Sequence, residues 1–479
     1  MLVNITIIQE FPYICQNWPY HFGPTINDKS MKIISTIVKT MAAALMLTAS
    51  VACDKKNPDP DDKPEVLNPD RRVLLFYECG FNNLGEFLDT NLNSSQKGLS
   101  GGYIPKIGED VILIYSKIPK SYYDSYHLMP KPVESYLRRI YNKNGKIISD
   151  TLKTFDSSVM AADSSTLREV LNIVKESFPA KGYGLVVSSH GSGWLPEGYY
   201  YSPSGFEERH SGELSKSAGT ASPQSARTPR RPVPEGNLAE TDPFYGKVRS
   251  IGQEYVKGNY FGKEMSVSEF AGAIPYRLDY ILFDMCFTAG VEVVYGLKDK
   301  ADYLGLSPAE VMGDGMFDYT KLTTFLLKGD EPDLAGLFKD SYEMYNRKSG
   351  TDRSATVNVI RTAGVDNLTA VCKNLIKEYS DTLANAPTSQ IQGYFRQNRH
   401  YFYDLRDIFA KCGATENELR TLDKAIRDCV IYKNSTPRMI SFEIKNYSGF
   451  SMYLPCDGTE LLDLYYKKEA WNDAVGLVK

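Results

Sequence analysis

The chain has 479 residues, with 55 basic and 59 acidic side chains and a net charge of −4. That length gives room for a large core and more than one folding unit, and the even charge balance leaves no basic footprint for nucleic acid. The eight cysteines are irregularly spaced and form no CxxC pair, which excludes a disulfide framework and argues against structural zinc, so no metal ligands are assigned.

Residues 1–30 lack periodicity and precede a second methionine, Met31, so they read as an upstream start that the cell does not use. From Met31 a short basic region with Lys32 and Lys39 leads into an apolar stretch, Met41 to Val51, and then to Ala52 and Cys53. This is the layout of a secretory signal, too short for a permanent membrane span. Ser50, Val51 and Ala52 resemble a bacterial lipobox in which Ser50 stands where leucine is usual. Residues 31–53 are therefore expected to be a lipoprotein signal peptide whose cleavage leaves Cys53 lipidated. An ordinary cleaved signal with a chance cysteine is the alternative. Residues 54–70 are polar and proline-rich, as in an extended tether. The expected product is an exported monomer, lipid-anchored to the bacterial outer membrane on its periplasmic or cell-surface side.

The folded part should start near Arg71. Arg72 to Glu78 reads as the first core strand and Val111 to Ile118 as the second. Val133 to Tyr141 and Lys146 to Phe155 are joined across Asn144 and Gly145, a type I′ hairpin signal. Asp163 to Thr166 starts a helix with apolar Leu167, Val170, Leu171 and Val174 at helical spacing. A β-branched run then ends at His190, before Gly191, Ser192 and Gly193. Residues 195–257 are rich in serine, glycine, proline and arginine, too poor in core residues to offset their ordering entropy, and read as an exposed, disordered insertion. Regular structure resumes at Met265, with a short helix from Val267 to Ile274 and an apolar strand that runs into Cys286. A helix from Val291 to Lys298, a strand at Tyr303 to Leu306, two helices and a strand at Ala355 to Ile360 follow. This alternation predicts an α/β domain over residues 71–360 with a mostly parallel sheet. Residues 361–479, with further helices and late strands at Ser441 to Lys445 and Gly449 to Tyr453, read as a C-terminal α+β extension packed on it.

Chemistry in open parallel sheets gathers at the carboxyl ends of the strands. Of five histidines only His190 ends an apolar strand beside glycine, and Cys286 ends another such strand. If the two strands are neighbours, an imidazole meets a thiol it can activate, the minimum apparatus of a cysteine peptidase. The N–H groups of Gly191 and Cys286 are then placed to hold an oxyanion. Asp284, two residues before the cysteine, suits a cationic side chain of the substrate, which arginine could offer bidentately. A helix cap or a buried hydrogen-bonding residue is the alternative reading. Cys79 reads as a small core residue. No GxSxG elbow and no HExxH helix occurs, which leaves a serine or metal hydrolase without its motif.

VVSSHGSGW, YILFDMCFTAGVEVVYGL and ADYLGLSPAEVMGDGMFDY resemble motifs of the clostripain family of cysteine peptidases, in the caspase-like clan. FNNL at Phe81 to Leu84, YDL at Tyr403 to Leu405 and SGFSMYLP at Ser448 to Pro455 extend the resemblance over nearly all of Arg71 to Lys479. It implies a caspase-like α/β/α sandwich, a His190 and Cys286 dyad, and selection of arginine or lysine by Asp284. It further implies activation by cleavage between histidine and cysteine, no cofactor for the chemistry, and calcium as a stabiliser in some members. Thr288 and Ala289 depart from the methionine and glycine that often follow the cysteine, and Ser188 and Ser189 from a more usual acidic residue before the histidine.

An enzyme of that specificity would find its own substrates in the insertion. Arg227, Arg230 and Arg231 are the candidate sites, Pro232 hindering the bond after Arg231. A passive surface loop is the plain alternative there. For the whole chain, the rival to an endopeptidase is a catalytically inactive surface lipoprotein that binds peptide or glycan in the same cleft.

Overall fold

A computed structural model of the chain describes residues 68–93, 98–119, 131–200, 203–218, 251–256, 259–396 and 400–479. The signal peptide, Cys53, most of the tether and the three candidate arginines lie outside the described residues. Within them the order is β1 (Arg72–Cys79), α1 (Gly85–Asn93), β2 (Val111–Lys117), β3 (Ser135–Lys143), β4 (Lys146–Phe155), α2 (Ser164–Ser177), β5 (Gly182–Ser188) and α3 (Pro203–Ala218). Then come β6 (Ile251–Val256), β7 (Asn259–Met265), α4 (Val267–Ala273), β8 (Leu278–Asp284), α5 (Val291–Leu297), β9 (Ala301–Leu306), α6 (Tyr319–Leu327), α7 (Leu334–Asn346) and β10 (Thr356–Arg361). The chain continues through α8 (Val365–Glu378), β11 (Tyr403–Asp404), α9 (Leu405–Lys411), α10 (Glu416–Cys429), β12 (Val430–Ser435), α11 (Glu460–Tyr466) and α12 (Ala470–Val475).

The central sheet has nine strands in the order β12-β10-β9-β8-β5-β1-β2-β3-β4. β9, β8, β5, β1 and β2 run parallel, and the strands flanking them pair antiparallel. The parallel strands are buried along both faces, which explains why β1, β5 and β8 read as unbroken apolar runs rather than alternating ones. One face packs Leu75, Tyr77, Leu185, Val187, Ile281 and Phe283 under α2, α4 and α5. The other packs Leu74, Phe76, Val186, Tyr280 and Leu282 under α6 and α7. The result is the expected α/β/α sandwich with a mostly parallel sheet.

Local signals hold where the sequence placed them. Asn144 and Gly145 both adopt positive φ, 53° and 82°, as a type I′ turn requires. Asp163 caps α2 by accepting from Ser165 N at 2.8 Å.

Three expectations need correction. Residues 195–257 are not wholly an unstructured insertion. They include α3, whose Phe206 packs edge-on against Tyr199, and β6, which pairs with β7 ahead of Met265. Aromatic anchors at Tyr199, Tyr200 and Phe206 supply the burial that average composition concealed. Residues 361–479 are not merely packed on the sheet, because β12 pairs with β10 and completes it. The late strands shrink to two-residue pieces, Phe442–Glu443 and Ser451–Met452.

Candidate active site

Parallel pairing of β5 and β8 ends with Ser188 opposite Asp284. His190 and Cys286 each lie two residues beyond that pair, so the two strands deliver imidazole and thiol to the same edge. The loops touch there. A Cβ on Gly191 would meet the Cys286 carbonyl oxygen at 2.6 Å and Met285 Cβ at 3.1 Å, so glycine is the residue that lets the two loops close. Among the described residues, neither the Gly191 nor the Cys286 N–H donates to a backbone carbonyl outside the strands.

His190 is buried, and its Nε2 lies 2.6 Å from Asn83 Oδ1. With Asn83 presenting its carbonyl oxygen, Nε2 carries the hydrogen and Nδ1 is the basic nitrogen. The histidine backbone is fixed by β6, since Gly252 N donates to the His190 carbonyl at 3.2 Å. Gln253 N donates to Ser189 Oγ at 3.0 Å, and Asn82 Nδ2 donates to the Gln253 carbonyl at 2.8 Å. Glu254 anchors the strand from below through an ion pair with Lys117, both side chains 2% exposed.

Cys286 sits in a turn rather than on β8, and it is 9% exposed. Its sulfur accepts from Val311 N at 3.2 Å. Burial and the neighbouring Glu310 carboxylate push the thiol up to about 12, while the Val311 N–H and Arg396 pull the other way. Glu310 is held by Arg396 at 2.8 Å in a buried ion pair. Phe287, next to the cysteine, has φ of 56°, a conformation costly for a bulky side chain. It is kept there by stacking on Phe402, with ring centroids 4.6 Å apart, and by Phe287 N donating to the Ala309 carbonyl at 2.9 Å.

β8 ends at Asp284, and Cys286 follows two residues on in the turn after it. The Asp284 carboxylate turns to the α6 face, where Oδ1 accepts from Met316 N at 2.6 Å and Oδ2 from the Tyr319 hydroxyl at 2.7 Å. Burial raises it to about 6. Asp314, in the same loop, is the exposed acid nearby, with its side chain 70% accessible and 3.3 Å from Lys348 Nζ.

Sequence reasoning paired His190 with Cys286 and missed their supports, Asn83, Glu254 and Glu310. The doublet Asn82–Asn83 was a usable signal, as amides that follow a strand end can cap a neighbouring loop. The partners of the two glutamates come from distant segments and left no local trace. Among the described residues no group of three or more histidine, cysteine or acidic side chains could hold a metal ion. Nor is any described helix long and apolar enough to cross a membrane.

The model of the clostripain family matches residues 76–208 and 236–475. Among solved structures, an inactive zymogen C11 protease from Parabacteroides distasonis is 24% identical, with a TM-score of 0.63 over 86% of this chain and 99% of that one. A secreted C11 cysteine protease from Bacteroides thetaiotaomicron is 22% identical, with a TM-score of 0.61 over 85% and 99%. A structure of a secreted C11 protease from the same organism with an irreversible peptide inhibitor is 20% identical, with a TM-score of 0.62 over 85% and 98%. At these identities the likeness shows the fold. No curated protein sequence matches.

Proposed function

The chain belongs to the clostripain family of cysteine peptidases, and we propose that it cuts peptide bonds after arginine or lysine with Cys286 as nucleophile and His190 as general base. The observation that carries this is the register of β5 and β8, which brings both residues two positions past one strand pair. His190 Nδ1 takes the thiol proton, and the thiolate attacks the scissile carbonyl carbon. The oxyanion is received by the N–H groups of Gly191 and Cys286. The imidazolium then gives its proton to the leaving amine, and water releases the acyl group.

Selection of a basic side chain falls to the acids on the α6 side of the edge, Asp284 first. In the described state the thiol is covered by Val311 and kept protonated by burial and by Glu310, as suits an enzyme awaiting activation. We assign that activation to cleavage between about Arg209 and Lys247, with Arg227, Arg230 and Arg231 as candidate sites. A zymogen among the structural neighbours supports the assignment. Export through the signal at residues 31–53 and anchoring at Cys53 complete the proposal, and a secreted neighbour agrees with export.

The test compares wild type, Cys286→Ala and His190→Ala on matched arginine, lysine and aspartate reporter peptides, with fragments read by mass spectrometry. Cleavage confined to basic reporters and lost in both variants supports the reading. Undiminished activity of Cys286→Ala sinks it, and a wild type inert on every reporter favours a peptide-binding lipoprotein.

A further inference from the structure

On the face that packs against α6 and α7, the carboxyl edge of the sheet carries a row of polar residues. Ser116, Glu78, Ser188 and Asp284 follow one another across β2, β1, β5 and β8 as successive register partners. Paired residues on neighbouring strands present their side chains to the same face. Further down β1 that face holds Leu74 and Phe76, so a third apolar residue would be the ordinary choice at position 78.

Glu78 is instead a carboxylic acid with no exposed surface, and among the described residues neither of its oxygens makes a hydrogen bond of ordinary geometry, the Ser188 hydroxyl being the one polar group close enough to favour its charged form. A buried carboxyl left unsatisfied costs stability and gains none in return. The groups facing it are Asp284, the Ser188 hydroxyl, Tyr319 from α6 and, beyond Ser116, Arg138, whose guanidinium reaches Ser116 Oγ at 3.5 Å. Burial and the charge of Asp284 push Glu78 well above the usual carboxylate range, with slight relief from Ser188. Ser188 itself is bonded to the Tyr319 hydroxyl at 3.0 Å.

We propose that Glu78 is a second acid of the subsite for the basic side chain, sharing that cation with Asp284 across Ser188. The inference rests on the arginine or lysine specificity proposed above and names a further residue that would determine it. Glu78 and Asp284 stand two strands apart, about 9–10 Å between Cα atoms at ordinary strand spacing, with the short Ser188 on the strand between them. The Tyr319 hydroxyl donates to Asp284 Oδ2 at 2.7 Å and lies 3.0 Å from Ser188 Oγ, which ties Asp284 to the serine that stands between the two acids. A guanidinium has five donors and can serve two carboxylates at once, and an ammonium has three. Glu78 is neutral while the subsite is empty. When the cation enters, Glu78 ionises and its proton leaves to solvent, so one positive charge goes in as one comes out.

Purified wild type, Glu78→Gln and Glu78→Leu are compared on arginine and lysine reporters across pH, with thermal unfolding measured alongside. The expected result is a KM raised about tenfold or more in Glu78→Gln at nearly unchanged kcat. Glu78→Leu should show at least that loss, with a melting temperature equal to or above wild type because an unsatisfied carboxyl has gone. Wild-type KM should fall toward alkaline pH by a component that Glu78→Gln lacks. If one variant fails to fold, the other carries the measurement. Wild-type KM in the folded variants, or a loss confined to kcat together with a lower melting temperature, overturns the inference while leaving the specificity standing. A wild type that spares both basic reporters but cleaves another overturns the specificity and this inference with it.

Discussion

His190 and Cys286 occupy corresponding positions past neighbouring strands, yet their surroundings are opposite in character. Around His190, a side-chain amide on Nε2 fixes the ring and the β6 backbone fixes the main chain. Around Cys286, the sulfur is bonded to Val311 N, faces Glu310 and follows a thiol's least favourable electrostatics. On the proposed roles, the base is held in place while the nucleophile is buried as a thiol. Activation therefore has its work to do on the 307–311 loop and on whatever holds it, rather than on the histidine.

The harshest break of the comparison removes its two members. Cys286→Ala is expected to abolish peptidase activity, and His190→Ala to reduce it about a hundredfold to ten-thousandfold, as loss of a general base does. Unfolding of Cys286→Ala should shift by about 1 kcal/mol or less. Circular dichroism melts beside reporter kinetics check both.

Next in size are the two buried ion pairs, one on each side. Lys117→Met takes the ion-pair partner from Glu254 beneath the histidine support, leaving it the Ala161 and Ala162 N–H groups, and Arg396→Met takes the ion-pair partner from Glu310 beside the thiol. Each should cost about 3–5 kcal/mol in denaturant unfolding. Their chemical effects should differ. Arg396 lowers the Cys286 pKa, so Arg396→Met should move thiol alkylation to still higher pH, whereas Glu310→Gln removes a charge that raises it and should move alkylation lower. Lys117→Met should leave the alkylation profile where it was. Equal shifts in all three would mean that the two sides are not separately wired.

Alkylation of wild type also tests latency. With the thiol held up to about 12, iodoacetamide should react slowly at neutral pH and faster as pH rises toward that value in the uncut protein. After cleavage in the insertion the profile should move down. An uncut protein with a thiolate already reactive at pH 7 would remove the contrast between the two sides.

How far the sequence disclosed this arrangement depends on where each partner lies in the chain. Unbroken apolar runs ending in His190 and Cys286 announced two buried parallel strands and their shared edge, because burial on both faces leaves that signature locally. The hairpin at Asn144–Gly145 was legible for a similar reason, since only certain residues tolerate its backbone. Asp284 was legible as an acid beside the cysteine, but its bonds to Met316 N and the Tyr319 hydroxyl come from a later loop and helix and left no local trace. β6 was missed because it follows a long biased segment and is held by Ser189, Asn82 and Lys117, none near it in sequence. β12 was missed likewise, its place in the sheet being decided by β10 some 70 residues earlier. Glu78 was visible as a letter within RVLLFYEC, but its lack of an ordinary hydrogen bond is a fact of three dimensions.

The smallest expected effect comes from the other cysteine at the same edge. Cys79 closes β1, has no exposed surface, and its sulfur would lie 3.3 Å from a Cβ at Gly252, directly under the strand that supports His190. Burial pushes its thiol well above the ordinary range, with Glu254 and Glu78 adding to the shift. Cys79 lies within β1 beneath β6 rather than in the loop that meets Gly191, so it is not the thiol of the proposed dyad. Its part is to fill space beneath β6, and truncation to alanine should cost about 1 kcal/mol through a cavity of one sulfur atom. Because β6 is also tied by its backbone bonds to Ser189 and His190 and by Glu254, that cavity should not unseat the histidine. Cys79→Ala is therefore expected to keep wild-type kcat and KM, with a slightly lower melting temperature and alkylation at Cys286 unchanged. A loss of activity comparable to that of Cys286→Ala, measured on folded protein, would mean that the nucleophile has been placed on the wrong strand.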